Sequence, residues 1–212
     1  CYESVLDLPF GPDAVFMAIP ARKILKTINE LRETSAGGIV CYAAGFRETG
    51  FQGALMEKEL VKGLGEMVMV GPNCYGVINY LEKNALWPFE HGGYCPGYGA
   101  AIITQSGMLS SDITMSQRSL PLTHMISLGN QASLKNTDFI NHLIASKPVR
   151  AFGLHIESIE DIQEFELAAL QALKAKKPIV VLKTGKSQIG ASLTESHTGS
   201  FAGSHEMYNA FF

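Results

Sequence analysis

Short apolar runs alternate with amphipathic stretches along this chain, which is the signature of parallel α/β units. Residues 14–19 read as a buried strand, and 22–31 as a helix with Ile24, Leu25, Ile28 and Leu31 on one face. Residues 38–42 predict a second strand, 54–63 a second helix with Met56, Leu60 and Leu64 in line, and 67–70 a third strand closed by Gly71-Pro72. Residues 80–98 mix Pro88, Gly92, Gly93, Pro96 and Gly97 with aromatics and have no period, so they read as connection. A second series then begins. Strands are expected at 100–104, 125–127, 152–156 and 179–183, and helices from Gly107 to about Gln117, at 137–145 and up to about Lys174. Ser158 with Asp161 gives that last helix a capping signal, and its expected inner face is Ile162, Phe165, Ala169 and Leu173. The fold class expected is α/β, with two tandem doubly wound parallel-sheet domains at 1–85 and 99–212 joined by a linker at 86–98.

Composition narrows the function without naming it. The chain has 212 residues, 46% apolar and 17% charged, so it buries real cores. A formal charge of −3 and the lack of a basic run give no case for nucleic acid. No apolar stretch reaches the length of a membrane helix and no signal peptide opens the sequence, so a cytoplasmic protein is expected. Cys1, Cys41, Cys74 and Cys95 lack Cys-x-x-Cys spacing and read as reduced thiols. The histidines have no metal-ligand spacing, so no metal is expected. The chain opens at Cys1 and stops at Phe212 inside a predicted helix, which reads as part of something longer.

In doubly wound sheets, ligands bind at the carboxyl ends of strands, and the informative loops fall there. Gln105-Ser106-Gly107 joins a strand to a helix start, whose free amides and dipole suit an anion; a plain Ser106 cap is the other reading. Glu157 ends an apolar strand, where it can fix the tautomer of an imidazole or simply favour the next helix. His197 lies in Ser-His-Thr-Gly-Ser, a small polar loop that leaves an imidazole uncrowded and nucleophilic near pH 7; an ordinary loop histidine without a chemical role is the other reading. Gly71-Pro72-Asn73 is a turn that either presents Asn73 to a ligand or closes on itself. Gly45-Phe46-Arg47-Glu48-Thr49-Gly50 is a pantetheine-facing loop or a surface turn, and Lys183 reads as solvated. No Gly-x-x-x-x-Gly-Lys-Ser/Thr loop is present, nor a Gly-x-Gly-x-x-Gly after a strand.

Taken in order, these segments resemble one family over essentially the whole chain. Gly-Phe-Arg-Glu-Thr-Gly, Gly-Pro-Asn-Cys-Tyr-Gly-Val-Ile-Asn, Ile-Thr-Gln-Ser-Gly, Ser-Leu-Gly-Asn, Ile-Glu-Ser-Ile-Glu-Asp, Lys-Pro-Ile-Val-Val-Leu-Lys-Thr-Gly-Lys-Ser and Ser-His-Thr-Gly-Ser-Phe-Ala-Gly look like the α-part of NDP-forming acyl-CoA synthetases, relatives of succinyl-CoA synthetase. The resemblance implies part of a CoA-binding Rossmann domain followed by a flavodoxin-like ligase domain. It implies that a carboxylic acid, CoA and ATP become acyl-CoA, ADP and phosphate through an acyl phosphate and a phosphohistidine. His197 matches the phosphohistidine and Glu157 the acid that holds it; Ser106, Gly107 and Met108 match the phosphate cradle. CoA contacts fall on Pro20, Tyr42, Ala43, Ala44, Gly45 and Asn73. Ser111 stands where succinyl-CoA synthetase has a tyrosine near the acyl group, which argues against succinate. ATP/ADP with Mg would bind an ATP-grasp module outside this chain, which is the expected partner, and an oligomer is expected. A second reading is a catalytically degenerate CoA- or ligand-binding regulatory module of the kind carried by some lysine acetyltransferases.

Overall fold

The computed structural model describes residues 1–185 and Tyr208. Three parallel strands, β1 (Ala14–Met17), β2 (Gly38–Cys41) and β3 (Val68–Val70), form a small sheet in the order β1-β2-β3. Helices α1 (Ala21–Glu33) and α2 (Phe51–Gly63) make the crossovers. Strand parity divides this sheet's side chains between two cores. Met17, Ile39, Cys41 and Met69 join Ile24, Ile28, Leu31 and Leu60 of the helices. Phe16, Val40 and Val70, the opposite face, pack instead into the core of the second sheet.

That second sheet has six strands in the order β5-β4-β7-β6-β8-β9. Its parallel part is β7 (Leu122–Ser127), β6 (Gly99–Thr104), β8 (Val149–Ile156) and β9 (Ile179–Lys183). An antiparallel hairpin, β4 (Gly76–Asn79) and β5 (Asn84–Leu86), closes one edge by pairing β4 with β7. Helix α3 (Gly107–Met115) follows β6, α4 (Asn136–Leu143) follows β7, and α5 (Ile162–Lys174) follows β8. Phe152, Leu154, Ile103, Ile126, Phe165 and Ala172 fill its core.

The strand pairing corrects the expected division at residue 85. Gly76–Leu86 belongs to the larger sheet, because alternate residues of β4 are buried against β7. The expected linker at 86–98 is pinned to that same sheet: Leu122 N donates to Tyr94 O at 2.8 Å and the Tyr80 hydroxyl to Gly92 O at 2.8 Å.

Two helix faces also differ from the periodic reading. On α2, Met56 is exposed, while Gly53, Glu57 and Leu60 turn inward. A glutamate on an inner face is tolerated because Arg47 and Asn130 meet it there. On α5, Asp161 is the cap, accepting from Glu164 N at 2.9 Å, and the buried face is Phe165, Ala168 and Ala172. Ile162 and Leu173 are exposed. The cap sets the first turn, and Ala168 and Ala172 join Phe165 in the larger sheet's core.

Candidate active site

The carboxyl ends of both sheets meet on one side of the junction. In the larger sheet, Thr104 ends β6 and Gln105-Ser106 leads into α3. Ser106 caps that helix, its hydroxyl accepting from Leu109 N at 3.3 Å, and Ser106 N donates to Thr104 Oγ1 at 3.0 Å. Gly107 opens the helix beneath the ring of Tyr75: a Cβ there would lie 2.9 Å from Tyr75 Cε1, so only glycine fits without displacing the ring. Met108 is largely exposed and leaves the first-turn amides uncovered, and Ser111 sits half-buried one turn further on. Ser106 therefore does cap the helix, as the plainer reading held, and the helix start still offers amides and a favourable dipole to an anion.

Gln105 fastens the Glu157 loop to this helix start. Its Oε1 accepts from Glu157 N at 2.5 Å and Ser158 N at 3.0 Å, while its Nε2 donates to Ser158 O at 2.9 Å. Gln105 is buried, so these bonds form away from competing water. Glu157 is itself buried, with 7% of its surface exposed.

The same loop is held from its other side by Lys183, which the sequence pattern gave as solvated, and by Tyr208, while His155, also given no role, ties the strand ends beneath it. Lys183 is buried; its ammonium donates to Glu157 O at 2.9 Å and to Thr184 O, and lies 4.3 Å from the centre of the Tyr208 ring. The Tyr208 hydroxyl accepts from Ile159 N at 3.2 Å. His155 ties three strand ends together, with Nδ1 3.1 Å from Thr104 Oγ1 and Nε2 3.1 Å from Thr184 Oγ1. The one signal for Lys183 and His155 was their position at the carboxyl ends of apolar strands. His197 lies outside the described residues, in the stretch between Thr184 and Tyr208.

In the smaller sheet, Pro20 precedes α1, which has no side-chain cap; Lys23 N donates to Pro20 O at 2.8 Å. Tyr42 follows β2 and donates from its N to Met17 O at 3.2 Å. Ala43, Ala44 and Gly45 continue the loop, Ala43 O accepting from Asn73 N at 2.9 Å. Asn73 is engaged structurally, its Nδ2 donating to Asn130 Oδ1 at 3.3 Å.

A polar latch joins these loops across the two units. Asn130, fully buried, donates from Nδ2 to Glu48 Oε2 at 2.7 Å and to Glu57 Oε2 at 2.8 Å. Glu48 Oε1 accepts from Gly45 N at 2.5 Å and Phe46 N at 3.1 Å. Arg47 reaches Asn130 O, Glu57 at 3.4 Å and Glu160 at 2.6 Å. Gly129 permits this closure: at φ +54° it passes so close to Asn73 O that a Cβ would lie 2.1 Å away. Burial raises the Glu48 carboxyl, but bonds from Asn130, Gly45 and Phe46 outweigh it and the net direction is down. Burial keeps Glu57 raised, incompletely offset by Asn130 and Arg47. The segment read as a pantetheine loop or surface turn is thus the bolt between the two sheets.

Among the described residues, no cluster of three His, Cys, Asp or Glu could hold a metal ion, and no helix is long and apolar enough to cross a membrane. Residues 97–212 match the succinyl-CoA ligase-like flavodoxin domain. The chain is 36% identical to acetate–CoA ligase (ADP-forming) I of Archaeoglobus fulgidus, aligning over all of this chain and 31% of that protein. It is 35% identical to the α-subunit of acetate–CoA ligase (ADP-forming) II of Pyrococcus furiosus, over all of this chain and 46% of the subunit. Among solved structures, the dinucleotide-forming acetyl-coenzyme A synthetase 1 of Ca. Korarchaeum cryptofilum, in complex with phosphate and ADP, superposes with a TM-score of 0.87 at 27% identity, over all of this chain and 46% of that one. The chain therefore spans 31% to 46% of the length of these proteins. These relatives are ligases, and nothing in them favours a regulatory acetyltransferase module.

Proposed function

The chain belongs to the succinyl-CoA ligase-like flavodoxin family, and from that premise we propose that it supplies the CoA site and the phosphoryl-carrying histidine of an ADP-forming acyl-CoA synthetase. The reaction converts a carboxylic acid, CoA and ATP to acyl-CoA, ADP and phosphate. Its ATP/ADP and Mg chemistry resides in an ATP-grasp part, fused or separate, in a cytoplasmic oligomer.

One observation carries this reading: the Glu157 loop is clasped on both sides. Gln105 binds it to the α3 helix start, and Lys183 and Tyr208, which flank His197 in sequence, bind its other edge. The described residues that flank the stretch bearing His197 in sequence are thereby both held to the backbone of the Glu157 loop. In the proposed mechanism, the amides after Ser106 hold the phosphoryl group and the helix dipole offsets its charge. Glu157 accepts the proton of one imidazole nitrogen of His197, leaving the other nucleophilic. His197 takes the phosphoryl group in line, and the cradle supplies positioning and charge stabilisation, the two things such transfers need most. Pro20, Tyr42, Ala43, Ala44 and Gly45 line the CoA side, where the start of α1, which has no side-chain cap, suits a phosphate of the nucleotide.

The test is phosphorylation of the complete protein with ATP and Mg. The expected product is an acid-labile, alkali-stable phosphate that His197→Asn abolishes and Glu157→Gln reduces. A His197→Asn enzyme that still ligated acid to CoA would sink the proposal.

A further inference from the structure

Five aromatic rings converge at the junction of the two units, and none was singled out as a group by sequence pattern. Phe16 and Tyr42 stack with centroids 6.0 Å apart, and Tyr42 lies 6.1 Å from Tyr75. Phe89 meets Tyr42 and Tyr75 edge-on at 6.2 and 5.0 Å, and Trp87 meets Tyr75 edge-on at 5.7 Å. Tyr75 is the hub. One neighbour of its ring is Tyr42, the residue before the Ala43–Gly45 loop; another is Gly107, at the start of the anion-binding helix.

Acyl transfer fixes where the acid must lie. The thiol sulfur of CoA attacks the carbonyl carbon of the acyl phosphate, a C–S bond forms, the C–O bond to phosphate breaks, and phosphate leaves with the electron pair while the thiol proton passes to solvent. The acyl group therefore lies between the CoA loop and the phosphate cradle, which is the span these rings line. Phe89 is 47% exposed, leaving apolar surface open to a ligand. The indole Nε1 of Trp87 is buried and meets no hydrogen-bond partner among the described residues. An unspent buried donor is costly unless a ligand oxygen meets it.

We propose that Tyr42, Tyr75, Trp87 and Phe89 form the acyl subsite, and that it takes an aryl or bulky apolar monocarboxylic acid in preference to acetate or a dicarboxylate. Rings reward apolar area, and a single neutral indole donor does not offset the cost of burying the charge of a second carboxylate. This inference rests on the ligase reading above.

The test measures CoA-thioester formation by the complete protein with its ATP-grasp part, using acetate, isobutyrate, phenylacetate and succinate. Phenylacetate is expected to exceed acetate at least about tenfold in kcat/KM, and succinate to be the poorest, because burying one ring is worth about that much or more. Phe89→Ala, chosen because the ring is half exposed and its loss spares the core, should lower kcat/KM for phenylacetate about 10- to 100-fold and for acetate less than about threefold. Trp87→Phe keeps an aromatic ring and removes the donor; it should weaken acids bearing a ring oxygen more than phenylacetate itself. Preference for acetate, or an equal proportional loss on both acids in Phe89→Ala, overturns the subsite while phosphohistidine formation continues. Absence of both phosphohistidine and thioester with every acid overturns the ligase reading and the subsite together.

Discussion

Replacing Asn130 by aspartate would change one atom type and nearly nothing in shape, yet it should unbolt the two sheets. The amide Nδ2 that now donates at 2.7 Å to Glu48 and 2.8 Å to Glu57 becomes an oxygen facing two carboxylates. Two hydrogen bonds to charged groups are lost, each worth about 1.5–3 kcal/mol. Because Glu48 is only half-buried, we take the lower part of that range, giving a loss of about 3–4 kcal/mol at neutral pH. For a chain of this size that is a fall in thermal midpoint of about 6–16 °C. The pH dependence is the sharper test. In the parent the bond from Asn130 helps hold the Glu48 carboxyl down and offsets the burial that raises Glu57; the substitution removes that bond and adds a third carboxylate, so the folded variant gains by binding a proton. The variant therefore regains stability as pH falls, and its gap to the parent should narrow between pH 7.5 and pH 5. Thermal unfolding of the pair at both pH values checks this. A gap below about 1 kcal/mol, or one that stays constant or widens in acid, would refute the account of the latch.

Three further outcomes follow from the geometry. Gly107→Ala should cost about 1–3 kcal/mol by pressing a methyl into the Tyr75 ring, and should slow thioester formation more than it slows phosphorylation of His197; denaturant unfolding and the two assays separate these effects. Cys41, its thiol pushed up to about 12 by burial, and Cys74, raised further by burial and by Cys41, should resist a thiol reagent at pH 8 in the folded protein, whereas exposed Cys1 and half-buried Cys95 should label. Labelling of all four without denaturant would contradict that placement. His124 is held down to about 4 by burial and then by His142, so the unfolded chain takes up this proton first as pH drops below about 6.5. Its contribution is present above that pH and is lost as pH falls towards 4; His124→Phe should flatten this part of the stability profile.

Much of the fold was legible because the parallel strands are written as apolar runs, even at the sheet edge, where Val180 and Leu182 are exposed. Ile179–Lys183 was read to the residue, and Ala100-Ala101-Ile102-Ile103-Thr104 missed only Gly99. The hairpin of β4 and β5 was missed because its strands are three and four residues long, too short for alternation to show against Pro- and Gly-rich surroundings. Met56 was preferred to Glu57 on α2 because periodicity weighs apolarity alone. Glu57 is admitted by Arg47 and Asn130, partners ten and 73 positions away. Of the site, Gln105-Ser106-Gly107 and Glu157 were each legible as a local pattern at a strand end, whereas the Gln105 bonds that join them span 52 positions. Lys183, His155, Tyr208 and the ring cluster are assembled across strands and the interface, a relation that no local window contains.

The row Phe16–Val40–Val70 gives the smaller sheet a face that packs into the larger sheet's core. In evolutionary terms the two halves cannot be traded as independent cassettes, since a foreign partner would meet that row with the wrong relief. Recombination between paralogues should succeed at the exposed surfaces of α1 or α5 and fail between residues 70 and 99. A new acid specificity is then more cheaply gained by point changes among the rings at the seam than by shuffling either half.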